Sequence, residues 1–415
     1  MPDENRTEEL AIMGGTPSFE KILHVGRPNI GDSERLLERI SGTLDRGWLT
    51  NNGPNVQEFE RELSKLLGVE HCIATCNATV ALEITIKATG LTGEVIVPSW
   101  TFIATAHALQ WQGITPVFCD VDPVTHNLDP RRVEEMLTPR TTGIMGVHLW
   151  GRPCDIDALA YIARRHNIRL IFDAAHAFDC SYKGRMIGGF GDAEVFSFHA
   201  TKYVNTFEGG AIATNDSELA ARIRLMKNFG FEGYDEVSHI GTNGKMNEIS
   251  AAMGLTSLES LEEFVNVNCR NYQQYREELD GLPGVRLLPY DETEMSNYQY
   301  VVLEIDAPAT GLSRDELVQV LWAENVHARR YFYPGCHRME PYRSYYPHAG
   351  QMLPVTEKLA ERVLSLPTGM AVGGEQITTI CSIIRTAVSR SYTIRRRLSE
   401  MSPLTTAATK IRTQP

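Results

Sequence analysis

From Cys72 to Ile212, short apolar runs alternate with segments of helical periodicity, and no other feature constrains the fold as tightly. Runs at 71–75, 94–98, 116–120, 142–149 and 168–173 read as strands, and stretches at 77–89, 103–112 and 156–167 read as helices. Strand and helix taking turns predicts an α/β fold whose central sheet is largely parallel and covered by helices on both faces. In open sheets of this kind ligands collect at the carboxyl ends of the strands.

The flanks extend this unit. Leu36, Leu37, Ile40 and Leu44 follow Asp32-Ser33 at helical spacing, predicting a capped helix over 33–46. A turn-rich loop at 47–54 leads to a second amphipathic helix over 56–67. Residues 246–280 read as a long helical region broken near 265–269 and stopped by Gly281-Leu282-Pro283-Gly284. A new unit then begins, with a strand at 298–305, a helix at 313–323 opened by Ser313, a strand at 326–333 and a helix at 375–389. The expected organisation is a mobile lead-in (1–17), a large domain (18–281), a smaller α+β domain (282–398) and a polar tail (399–415).

Composition removes several function classes. A net charge of −12 leaves no basic stripe for nucleic acid, so a phosphate-bearing ligand would need a local positive cluster. The eight cysteines include no Cys-x-x-Cys pair and sit mostly in apolar surroundings, as in a reducing cytoplasm. The opening MPDENRTEEL is acidic and polar, unlike a signal or transit peptide, and no run of ~18 apolar residues predicts a membrane span. No metal site is expected.

Six stretches carry candidate chemistry. In EVFSFHATKYVNTFEGGAI, Val195, Phe196 and Phe198 read as one buried strand and Ala211-Ile212-Ala213 as another, with Lys202 between them. Burial there would favour the neutral amine, a nucleophile toward aldehydes; a solvated loop lysine is the other reading. Asp173 ends an apolar strand in FDAAH, either serving a ligand or capping a turn. Asn77-Ala78-Thr79 lies where a strand becomes a helix, either an ordinary Asn cap or a phosphate cradle of free backbone N–H groups. Phe102, on a loop after a strand, is core or stacks on a flat ring. Gly241–Glu248 reads as a loop capped at Asn247. Arg329-Arg330-Tyr331-Phe332-Tyr333-Pro334, with His337, is a solvated charge pair or a contact for a nucleotide diphosphate.

FSFHATK with its EGG turn, taken with the other motifs in this order, resembles the sugar-nucleotide aminotransferases, the DegT/DnrJ-type branch of fold-type-I pyridoxal-phosphate enzymes. The resemblance runs from about residue 25 to about residue 390. It implies an α/β fold-type-I transferase with a large domain and a smaller C-terminal domain, using pyridoxal 5'-phosphate. By resemblance Lys202 is the Schiff-base lysine, Asp173 supports the ring nitrogen and Phe102 lies against the ring; His176, three residues after Asp173, either supports these contacts from behind or meets the ring oxygen. Ser197 and the amides of Ala78 and Thr79 would meet the phosphate, although the family usually has Ser-Gly-Thr where this chain has Asn77-Ala78-Thr79. Asn243 would touch the neighbour's cofactor phosphate, implying a homodimer with shared sites. Asn51, Lys245, Arg330, Tyr333 and His337 are the expected substrate contacts. The family's dehydratases carry histidine at the lysine position, so Lys202 favours an aminotransferase. A pyridoxal-phosphate-binding regulator would call for a DNA-binding appendage, and neither tail is long or basic enough. LTNNGP and FSFHATK most resemble enzymes that move an amino group from L-glutamate to the 4-position of dTDP-4-keto-6-deoxy-D-glucose; amination at the 3-position is the alternative.

Overall fold

The computed structural model describes residues 9–401. Seven strands form the central sheet: β1 (His71–Thr75), β2 (Glu94–Pro98), β3 (Thr115–Cys119), β4 (Thr141–Val147), β5 (Arg169–Asp173), β6 (Ala193–Ser197) and β7 (Gly210–Thr214). Their order is β1-β7-β6-β5-β4-β2-β3. Only β7 runs antiparallel to its neighbours. Helices α1 (Ser33–Arg46), α2 (Pro54–Leu67), α3 (Ala78–Ala88), α4 (Ile103–Gln110), α5 (Pro130–Met136), α6 (Ile156–His166), α7 (Ser217–Met226) and α8 (Glu248–Glu259) surround it. Alternation along the strands divides the apolar side chains between two faces. Phe172 and Phe196 pack on one side with Phe59 and Leu63 of α2, and Ile171 and Val195 pack on the other with Ala81 and Leu82 of α3. The predicted strands match those found to within about two residues at their ends. Helix α5, absent from the sequence reading, is opened by Asp129, whose carboxylate accepts from the Arg131 amide.

The long helical region breaks at Ser260 rather than at 265–269. Helix α9 (Leu261–Leu279) is continuous because Phe264, Asn268, Asn271, Tyr272, Tyr275 and Leu279 recur at helical spacing on its buried face. Tyr272, Tyr275 and Leu279 enter a second core, built with the three-stranded antiparallel sheet β8 (Val285–Leu287), β9 (Val301–Ile305) and β10 (Val363–Leu366), α10 (Arg314–Ala323) and α11 (Gly374–Ser389). Ser313 opens α10 with a reciprocal capping box to Glu316.

Three expectations are corrected here. Part of the lead-in is built into the second core: Leu10 and Ile12 are buried there, and Glu324 accepts from the amides of Ala11 (2.6 Å) and Ser18 (2.7 Å). The strand expected over 326–333 survives only at Val326–His327, with Arg329 and Ser365 paired beyond it. The chain then turns, Gly335 N donating to Phe332 O. Finally, 399–401 close a helix, α12 (Ser391–Met401); the remainder of the expected tail lies outside the described residues. No helix among the described residues is long and apolar enough to cross a membrane.

The two cores are joined by specific polar contacts. Asp120, buried at the end of β3, accepts from Val355 N (2.9 Å), Thr356 N (2.8 Å) and Thr356 Oγ1 (2.8 Å), at the start of the short helix Pro354–Ala360. His126 Nε2 lies 2.6 Å from Glu304 Oε1 on β9. Removing a buried charged acceptor strands its donors, and such bonds contribute about 1.5–3 kcal/mol each. Asp120→Ala is therefore expected to lower stability by about 4–5 kcal/mol, the lower end for three such bonds, read as a shifted urea midpoint. An unchanged midpoint would show that this latch carries little of the docking energy.

Candidate active site

The carboxyl edge of the sheet assembles the site. Gly210, first residue of β7, pairs with Thr75 at the end of β1 and with Ser197 at the end of β6. Asp173 ends β5 and stands in register with Val195. Past Thr75 the chain turns through Cys76 and Asn77 into α3, and a Cβ on Gly210 would lie 2.7 Å from Ala78 N and 2.8 Å from Asn77 C. Glycine thus lets β7 approach the helix start. Asn77 Oδ1 accepts from Val80 N at 2.9 Å. The amides of Ala78 and Thr79 keep no protein acceptor among the described residues, the condition a bound phosphate would satisfy.

Asp173 is buried, yet no basic side chain among the described residues forms an ion pair with it. Its Oδ2 accepts from Thr105 Oγ1 (2.8 Å) and its Oδ1 from Ala175 N (3.1 Å). Burial pushes the carboxyl above its ordinary range, against these two hydrogen bonds and the pull of Lys202. Lys202 is half-buried on the turn after β6, and its Nζ donates to the Tyr300 hydroxyl at 3.3 Å. Burial lowers its pKa to about 8, while Asp173 opposes the shift. The two groups sense each other's charge but form no ion pair, which leaves space between amine and carboxylate.

Aromatic rings wall this space. His176 is 4.6 Å from the Tyr300 ring and stacks at 5.9 Å on Phe332. Burial, helped by the Lys202 charge, holds its imidazole well below the usual histidine range. Nδ1 accepts from Trp150 N at 3.2 Å, so the neutral ring carries its proton on Nε2. Phe102, the residue before α4, is 57% exposed, with its ring 6.5 Å from Phe332. A flat ring held through a phosphate, with a nitrogen facing a carboxylate and an aldehyde facing an amine, suits this donor set.

The expected substrate residues are engaged in contacts of their own. A small pocket beside the turn that carries Lys202 is lined by Arg27, Thr201, Gln299, Tyr300 and Tyr331, among others; Lys202 and Asp173 do not line it, and neither do Asn51, Lys245, Arg330, Tyr333 or His337. Arg330 donates to Asp315 (3.0 Å) and lies over Tyr333, with Arg314 on the same ring. His337 is buried with both ring nitrogens engaged, by Ser99 Oγ (2.7 Å) and Glu357 Oε1 (2.7 Å); it braces the two cores and presents nothing to a ligand. Lys245 donates to Asn228 Oδ1 (3.0 Å) and covers Phe229. Asn51 sits on an exposed loop in the left-handed region (φ 62°). Asn243 lies beside Cys76 of its own chain, its carbonyl 3.9 Å from the thiol. Sequence reasoning missed Thr105, Tyr300 and Tyr331. Thr105 is in the first turn of the helix that Phe102 precedes, and Tyr331 lies inside the quoted arginine–tyrosine stretch, so both signals were close at hand.

A mostly parallel seven-stranded sheet flanked by helices and joined to a small α+β unit, with a half-buried lysine and a buried aspartate on its carboxyl edge, is the architecture of a fold-type-I transferase. Residues 31–385 match the DegT/DnrJ/EryC1/StrS aminotransferase family, and the chain belongs to that family. It is 40% identical over 371 residues to the dTDP-4-amino-4,6-dideoxy-D-glucose transaminase of Shigella dysenteriae, covering 88% of this chain and 99% of that one. It is 35% identical to the GDP-perosamine synthase of Caulobacter vibrioides, covering 83% and 93%. The crystal structure of DesI in the presence of its TDP-sugar product superposes with a TM-score of 0.90 at 53% identity, covering 94% of this chain and 100% of that one.

A pKa near 8 leaves about one Lys202 amine in ten neutral at pH 7, against fewer than one in a thousand for an ordinary lysine. In cofactor-free protein, reductive methylation followed by peptide mass spectrometry is expected to show Lys202 reacting with a midpoint near 8, well below surface lysines. Because Asp173 raises the lysine pKa, Asp173→Asn should move that midpoint lower; a midpoint above 10 in the wild type would contradict the site.

Proposed function

We propose that this protein transfers an amino group from L-glutamate to the 4-keto position of dTDP-4-keto-6-deoxy-D-glucose, with pyridoxal 5'-phosphate bound at the carboxyl edge of the sheet. The observation that carries this reading is the pair Lys202 and Asp173, both desolvated, electrostatically coupled and yet without an ion pair, on the same sheet edge as the free amides of Ala78 and Thr79. The relatives' names support the substrate: the Shigella dysenteriae enzyme is named for this amino sugar, and DesI was crystallised with a TDP-sugar product.

When bound, the cofactor supplies an aldehyde that takes up the amino group and a ring that accepts electrons. The protein does the rest. Ala78 N, Thr79 N and the Ser197 hydroxyl would hold the phosphate, and Asp173 would keep a proton on the ring nitrogen. His176 would offer Nε2–H to the ring oxygen, while Phe102 would cover the ring. Lys202 is the amine that would hold the aldehyde, and its Nζ would carry a proton to and from the carbon that bears the amino group. Near its pKa of about 8 the amine can serve as base and then as acid. We also infer a homodimer in which Asn243 reaches the partner's phosphate. The hairpin just before it, where Phe231 pairs with Val237, leaves Tyr234 and Ile240 102% and 79% exposed, an apolar surface suited to a second copy.

Incubation with L-glutamate and dTDP-4-keto-6-deoxy-D-glucose is expected to give equimolar 2-oxoglutarate and an amino sugar nucleotide, whereas the 3-keto isomer should turn over poorly. Lys202→Ala should abolish turnover and the borohydride-reducible visible band; a retained band would assign the bond to another lysine. Mixing Lys202→Ala with Asn243→Ala chains through unfolding and refolding should restore about a quarter of wild-type activity, because half of random pairs rebuild one intact site. No restoration would place each site within one chain.

A further inference from the structure

Both substrates of the proposed reaction are anions, and they must reach Lys202 in turn. Yet the cationic residues expected from sequence are spent elsewhere: Arg330 on Asp315 and Lys245 on Asn228. One guanidinium in the pocket that adjoins the Lys202 turn is unspent. Arg27 lines it with Thr201, Gln299, Tyr300 and Tyr331, and has no ion-pair or hydrogen-bond partner among the described residues. An unpaired arginine in a pocket that shares Tyr300 with the Lys202 amine, in a chain of net charge −12, is a local feature and not part of a general positive field.

The backbone holding Arg27 is stiff on both sides. Gly26 is in the left-handed region (φ 76°), where a Cβ would lie 3.1 Å from Thr201 Cβ and 3.3 Å from Thr201 O. Pro28 follows, restricting Arg27 to extended conformations. Asn29 then donates to Tyr203 O at 3.1 Å and its carbonyl accepts from Asn205 Nδ2 at 2.7 Å. Residues 26–29 are therefore clamped to the very turn that carries Lys202. With its backbone fixed, the exposed guanidinium stays within one side chain's reach of the Lys202 turn, and its fork can bind an oxyanion with two parallel hydrogen bonds.

We propose that Arg27 is the specificity residue of this pocket, binding an oxyanion of the substrate: a carboxylate of the amino donor or a phosphate of the nucleotide sugar. The proposal rests on the aminotransferase reading. The test uses cofactor-loaded protein and two unreactive probes, glutarate for the donor and dTDP for the nucleotide, with affinities measured by calorimetry. Arg27→Gln is expected to weaken at least one probe tenfold or more while keeping the visible absorbance of the bound cofactor, and Arg27→Lys to recover part of the loss. Weakened glutarate alone assigns the carboxylate, weakened dTDP alone assigns the phosphate, and loss of both assigns one locus used in each half-reaction. If wild type binds both probes and Arg27→Gln changes neither by more than twofold, the role of Arg27 is overturned and the aminotransferase reading stands. If wild type binds neither probe, the reading fails and the proposal with it.

Discussion

Burial acts on two opposite charges at one edge of the sheet, and the chemistry of the site depends on how it does so. Desolvation pulls the Lys202 amine down toward neutrality and pushes the Asp173 carboxyl up. Each group partly offsets the other's shift, but they do not meet. Had they formed a direct pair, attraction would have locked both as ions and removed the nucleophile. Each is instead held by neutral partners: Tyr300 for the amine, Thr105 and the Ala175 amide for the carboxylate. The hydroxyls fix the geometry without adding charge.

The sheet makes this arrangement possible. Parallel strands bring their carboxyl ends to one edge, so residues distant in sequence arrive at the same height. The antiparallel β7 breaks the pattern and closes the site, because Gly210 sits between Thr75 and Ser197 and against the start of α3. Strand register thereby sets the spacing between the free amides of the helix start and the two buried charged groups. A residue with any side chain at position 210 would have to push the helix away.

Much of this was legible in the sequence where local pattern and tertiary role coincide. Strands ending at Thr75, Pro98 and Asp173 declare themselves by short apolar runs, and Lys202 stands out because two such runs bracket it. What was not legible depends on contacts far apart along the chain. Leu10 and Ile12 show no periodicity, because a single turn packing on a distant core needs none. Reading 326–333 as a strand put its residues on alternating faces; the turn closed between Phe332 and Gly335 sends Tyr331 to the pocket beside the Lys202 turn, and Arg330 and Tyr333 to Arg314 and Asp315 instead. For His337, residue type suggested a ligand, while Ser99 and Glu357 had already taken both nitrogens.

The N-terminal segment ties these observations together. Its first turn is anchored in the second core through Leu10, Ile12 and Glu324. Leu23 and His24 pair with Val326 and His327 of that same unit. Residues 26–29 then cross to the large sheet and clamp the Lys202 turn. The pocket wall is thus shared: Thr201 and Tyr203 belong to the sheet's edge, Tyr300, Tyr331 and Gly369 to the second unit, and Arg27 to the strap that joins them. Since the strap is fastened at both ends, movement of the small unit against the large one would change the pocket's width and the position of Arg27 together. Docking of the two cores through Asp120, His126 and His337 therefore does more than stabilise the fold, because it sets the distance between the reactive amine and the groups that face it.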